Sequence, residues 1–257
     1  MTEIGQEPHE AQPLEAQAVE PRPVWGYWAT LGWVILALVL SQVVGAVVLI
    51  LLRPDAISAG MDALVKDGVV IALSNIPANA VQVIALALAS RPRGWSATEY
   101  LGLTRPATRD VVVALAILAA FLLGYDALTY ALGRDIVTPF QLDTYRSAQS
   151  AGMLPLLWFA LVIAAPIAEE IMFRGYLYRG WVRSERMAIP GILIISALFA
   201  AIHVQYDWFG ILQVFFIGLL FGLARWKSGS TTLTILMHVF ANFWATIETM
   251  IKIEWLS

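Results

Sequence analysis

Leu154–Arg179 reads LPLLWFALVIAAPIAEEIMFRGYLYR, an apolar run broken by two adjacent carboxylates, Glu169 and Glu170, and by Arg174. No charge precedes the pair between Leu154 and Ala168. Each charge at the centre of a membrane helix costs about 2.5–3.5 kcal/mol on insertion scales. Three of them within six residues require partners elsewhere in the chain. Glu170 and Arg174 stand at i, i+4, on one face of a helix, where they suit an ion pair. Glu169 projects about 100° away from that face and has no such neighbour. Its carboxylate needs water, a histidine or a proton.

Outward from this stretch the chain is a membrane protein. Its 257 residues are 59% hydrophobic and 14% charged, against about 25% charged in a soluble domain. Seven segments approach the ~20 apolar residues that span ~30 Å of hydrocarbon. They are 27–52, 69–89, 111–132, 154–178, 188–204, 208–226 and 231–251. The expected fold is an all-α, polytopic membrane helix bundle of about seven transmembrane helices. Residues 1–24 form an acidic, proline-containing tail with Glu3, Glu7, Glu10, Glu15 and Glu20, a composition that favours disorder. Residues 25–257 form the transmembrane domain. The first apolar run is too long for a signal-peptide core and is expected to stay as a helix. Asn75-Ile-Pro-Ala-Asn79 interrupts the second segment. Gly218-x-x-x-Gly222 on the sixth lets two helices approach closely, chiefly within the chain. No basic patch suits nucleic acid. Cysteine is absent, which excludes thiol nucleophiles, disulfides and cysteine-ligated zinc.

Positive charges give an orientation. Arg22, Arg91, Arg93, Arg105, Arg109, Arg179, Arg183, Arg186, Arg225 and Lys227 lie on the side of the N-terminus, ten in all. Arg53, Lys66, Arg134, Arg146 and Lys252 lie on the other, five in all. The N-terminus is therefore expected in the cytoplasm. Two further motifs bring polar groups into apolar helices: Phe199-x-x-x-His203, with its lone histidine, and His238-x-x-x-Asn242, whose members share a helix face. Counted at 1.5 Å per residue from the basic ends, Glu169 lies ~15 Å deep, His203 ~21 Å, His238 ~12 Å and Asn242 ~18 Å. Three helices thus bring polar groups into one slab of the membrane. This predicts a buried polar cavity, expected to open to cytoplasmic water.

Glu169-Glu170-x-x-x-Arg174, Phe199-x-x-x-His203 and His238-x-x-x-Asn242 together resemble the three motifs of the CPBP family, the CAAX-protease and bacteriocin-processing proteins, also called the abortive-infection family. Its eukaryotic members are the Ras-converting endopeptidases that process prenylated proteins. The resemblance covers about Leu154–Ile247, which it marks as the catalytic core. It implies an intramembrane endopeptidase of a bacterial plasma membrane acting on a membrane-associated peptide or protein substrate, lipidated or not. Glu169 is then the general base that activates water, assisted by His203; His238 and Asn242 donate to the oxyanion; Glu170, Arg174 and Phe199 are structural. The expected cofactor is none. The alternative is zinc, for which Glu169, His203 and His238 carry suitable atoms, although the His-Glu-x-x-His pair that usually grips catalytic zinc is missing. The resemblance also leaves open a non-catalytic immunity or scaffold protein. A proton-coupled transporter ranks last, because no internal repeat accompanies the broken second segment.

Overall fold

The structure is a computed structural model that describes residues 24–54, 60, 64–91 and 94–256. The acidic tail of residues 1–23 lies outside the described residues. Among the described residues there is no strand, and helices stand at all seven expected segments. In chain order they are α1 (Tyr27–Leu52), α2 (Gly68–Ser90), α3 (Ala97–Leu101), α4 (Thr108–Ala131), α5 (Pro139–Ser150), α6 (Leu154–Trp181), α7 (Ala188–Ala201), α8 (Trp208–Ser228) and α9 (Thr231–Glu254).

Five of these, α1, α2, α4, α6 and α8, are long and apolar enough to cross a membrane. α7 has 14 residues, about 21 Å at 1.5 Å per residue, less than the hydrocarbon thickness. α9 has the length, with 24 residues, but carries His238, Glu248 and Lys252 among its apolar positions. The outward faces fit lipid. Ile35, Val39, Val43, Val47 and Ile50 of α1 are exposed, while Thr30, Val34, Ala37, Ser41 and Gly45 turn inward onto the bundle.

The expected break in the second segment does not occur. α2 runs unbroken through Pro77. Membrane helices tolerate proline where neighbours and side chains satisfy the freed backbone groups. Here the helix is packed along α1, with Ser74 donating back to the Val70 carbonyl at 2.8 Å.

α3 and α5 lie in the connections. α3 starts in a capping box, Ser96 with Glu99, and stops at Gly102, whose φ of 66° is the left-handed conformation glycine adopts without strain. α5 starts in a second capping box, Thr138 with Gln141, with Pro139 at its first position. At the far end of the bundle from the basic loops, α5 is fastened at two points. Ser147 donates to Asp67 at 2.9 Å and accepts from the Gly68 amide at 2.9 Å. Tyr145 donates to Glu254 at 2.6 Å.

α6 is central. Ile171, Met172, Phe173 and Tyr176 form a core with Val34 of α1, Leu86 of α2, Tyr100 of α3 and Ile192, Ile195 and Phe199 of α7. Its hydrogen-bond ladder changes pitch twice, to π-helix over Phe159–Ala164 and Ile171–Leu177, on either side of the short α-helical Ala165–Glu170. Both glycines of the GxxxG face α7. A Cβ on Gly222 would meet Ile192 at 2.6 Å, and one on Gly218 would meet Ser196 at 3.1 Å and Phe199 at 3.3 Å. The close approach is therefore within the chain.

Candidate active site

Glu170 and Arg174 form the expected pair, Nη1 to Oε1 at 2.9 Å, and both are buried. Arg174 Nη2 also donates to the Gly218 carbonyl at 2.9 Å. Its guanidinium lies among aromatic rings, 4.5 Å from the centroid of Phe199 and 5.3 Å from that of Phe221. Gly218 thus packs α8 closely on α7 while its carbonyl serves α6. Phe199 is wedged edge-on against Phe173 and against the rings of His203 and His238.

The same Glu170 oxygen has a second partner, 68 residues away. His238 Nδ1 lies 3.0 Å from Oε1. Glu170 thus joins α6 to α9 and anchors the imidazole, leaving Nε2 free of that contact. The short sequence spacings reveal the Glu170–Arg174 pair but not this one.

Glu169 stands apart from that cluster, as its position on the helix requires. Its Oε2 has no hydrogen-bond partner among the described residues and is shielded within the protein. Gln82 of α2 donates to the preceding Ala168 carbonyl at 3.1 Å and fixes this turn of α6. His203 lies just beyond the end of α7, not within the helix, and its Nδ1 is 2.7 Å from the Phe199 carbonyl. A carbonyl only accepts, so Nδ1 carries the proton in that contact, and in the neutral ring Nε2 presents a lone pair. Asn242 Nδ2 donates to the Leu161 carbonyl at 2.7 Å, inside the first π-helical segment. The second Nδ2 hydrogen and Oδ1 remain for other partners.

Glu169, His203, His238 and Asn242 all line one cavity of about 630 Å³. Tyr206, which the motif spacing does not single out, lines it as well and stacks on His203 with an interplanar angle of 14°. Burial, and next the nearby Glu169 carboxylate, push the Tyr206 phenol up to about 12. It therefore remains a hydrogen-bond donor at neutral pH. Its only sequence signal is an aromatic three residues after a motif histidine.

The cavity does not open where the depth count suggested. Its walls continue from Glu169 to Val65, Thr138, Tyr145 and Thr249, at the end of the bundle that carries Arg53, Lys66, Arg134, Arg146 and Lys252. The opposite, basic end is closed. Thr231 donates from its amide to the Gly102 carbonyl at 2.8 Å and from its hydroxyl to Leu101 at 2.6 Å. Ser230 donates to Thr104 at 2.7 Å, and Arg225 Nε to the Arg174 carbonyl at 3.0 Å. Mid-membrane depth alone does not select a side; the α3 plug does. As for a metal, among the described residues no three His, Asp or Glu side chains are gathered closely enough to hold one. Glu169, His203 and His238 share a cavity without forming such a cluster.

Fold and site together define an all-α membrane protein whose interior cavity is lined by a carboxylate, two imidazoles and an amide. Residues 151–244, the segment that contains all three motifs, match the family described as type II CAAX prenyl endopeptidase Rce1-like. Over this segment the chain is similar to that family, in line with its resemblance to the CAAX-protease motifs. The chain is also 33% identical to an uncharacterized 24.3 kDa protein of Escherichia coli over 97 residues, 34% of this chain and 41% of that protein. It thus spans less than half the length of that relative. No solved structure matches it.

Proposed function

We propose that residues 25–257 form one transmembrane domain that hydrolyses peptide bonds of a membrane-associated peptide or protein, with 154–247 as its catalytic core. Glu169 is the general base that takes a proton from water. The observation that carries this reading is that Glu169 lines a cavity that also presents His203, His238 and Asn242, whereas Glu170, whose Oε2 is likewise unpartnered, does not line it and has its Oε1 held by Arg174 and His238. A base must be within reach of the proton it abstracts, and a carboxylate already paired would not be free to act. The paired glutamate, Glu170, is the structural one.

The two histidines have different tasks because their Nδ1 atoms have different partners. His203 leans on a carbonyl, so its Nε2 accepts; it orients the water beside Glu169 or relays its proton. His238 is held at Nδ1 by the Glu170 carboxylate instead, which fixes the ring; carrying a proton on each nitrogen, it donates from Nε2. With the free Asn242 hydrogen it forms the oxyanion hole as the carbonyl carbon becomes tetrahedral. Donors aimed in advance at developing charge are usually the largest catalytic contribution, about 10²–10³ in rate for one donor. The protein resides in the plasma membrane of a bacterium with its N-terminus in the cytoplasm, a reading supported by the ten-to-five division of positive charges.

The test compares membrane fractions containing wild type and Glu169→Gln for newly created peptide termini. Fragments present with the wild type are expected to vanish with the variant while its level and melting are unchanged. Their persistence removes Glu169 as base. The purified protein is expected to keep its activity after a chelator has been applied and removed. One zinc per protein, lost together with activity and restored with it, would replace this mechanism by a metal-dependent one.

A further inference from the structure

We infer that substrate enters the cavity from the side of the membrane opposite the cytoplasm, so that the peptides cut are exported or outward-facing ones. The inference rests on the proposed reaction for its substrate and on two independent observations for its direction. The first is the shape of the cavity. Among the described residues its walls reach exposed ones at one end only, with Val65 and Val204, while Leu101, Gly102, Thr104, Arg225 and Thr231 close the other.

The second is charge. At the closed end the described residues include Arg91, Arg105, Arg109, Arg179, Arg183, Arg186, Arg225 and Lys227 against only Glu99, Asp110 and Glu185. At the open end Asp67, Asp126, Asp135, Asp143, Asp207, Glu248 and Glu254 outnumber Arg53, Lys66, Arg134, Arg146 and Lys252. Positive residues flanking membrane helices are held on the cytoplasmic side. The closed end is then cytoplasmic and the mouth faces outward.

The chain has no cysteine, so single cysteines report the direction without background. Val65→Cys and Val204→Cys mark the mouth; Ala107→Cys and Ser184→Cys, both exposed, mark the closed end. Each full-length variant is expressed in a bacterial plasma membrane and treated in spheroplasts with a membrane-impermeant maleimide, then again after permeabilisation. Val65→Cys and Val204→Cys are expected to react in intact spheroplasts, and Ala107→Cys and Ser184→Cys only after permeabilisation. The reverse pattern, or reaction of all four from outside, overturns the inference. Labelling does not require catalysis. Loss of the proposed protease activity therefore leaves this result standing, and an inward mouth leaves the protease reading standing.

Discussion

The two adjacent glutamates are chemically the same and differ by one helical step. That step gives Glu170 a guanidinium and an imidazole and leaves Glu169 facing the cavity. Glu170→Ala strands Arg174 among aromatic rings with one carbonyl as its main support, and breaking such a buried pair costs about 3–5 kcal/mol. Less folded protein and a lower melting temperature are expected, in contrast to the normal melting of Glu169→Gln; thermal unfolding in detergent distinguishes them, and equal stability of the two would refute the division of roles. His238→Gln and Asn242→Ala should each lower kcat by about 10²–10³ with little change in KM, because their contacts strengthen in the transition state. A rise in KM alone would make them substrate-binding groups instead. These residues were legible in the sequence because intramembrane polar side chains at i, i+4 are conspicuous. The Glu170–His238 contact was not, since it joins helices far apart in the chain. Nor was Tyr206, an aromatic in a loop among many aromatics.

Among the elements, the long apolar helices could be read from composition almost to their ends, because hydrocarbon thickness sets their length. α3 and α5 could not, being short and polar enough to pass for connections. The π-helical turns of α6 leave no compositional mark; they depend on what packs around them, and one of them supplies the carbonyl that orients Asn242. α8 sets the position of α7 through glycine. Gly218→Val should press on Ser196 and Phe199 and disturb the carbonyl that receives Arg174. Overpacking of this kind costs about 1–3 kcal/mol. A lower melting temperature together with reduced activity is the expected outcome, because Phe199 supports both histidines; an unaltered variant would show that the α7–α8 contact is not tight. At the other end, Tyr145→Phe removes the shorter of the two hydrogen bonds that tie α5 to Glu254. Hydrogen exchange across 139–150 should quicken while that of α6 does not change. Equal protection in both proteins would mean that α5 is held by packing alone.

For the molecule as a whole, the buried cluster of Glu170, Arg174 and His238 is assembled from parts that emerge at different times. Arg174 is complete only when Gly218 and Phe221 of α8 have arrived, and Glu170 only when His238 of α9 has. Until then α6 carries its charges at a cost of several kcal/mol in lipid. During synthesis α6 is therefore a poor membrane segment that becomes a good one. Its insertion depends on its successors, and it should linger beside the insertion machinery while α7 and α8 are made. In a chain ending at residue 206, Ser184→Cys should react with a membrane-impermeant maleimide in intact spheroplasts because α6 has not crossed, whereas in the full chain it should react only after permeabilisation. The arrangement that pairs one glutamate and leaves the other to the cavity thus also imposes a schedule on biogenesis, in which the centre of the bundle is the last part to settle into the bilayer.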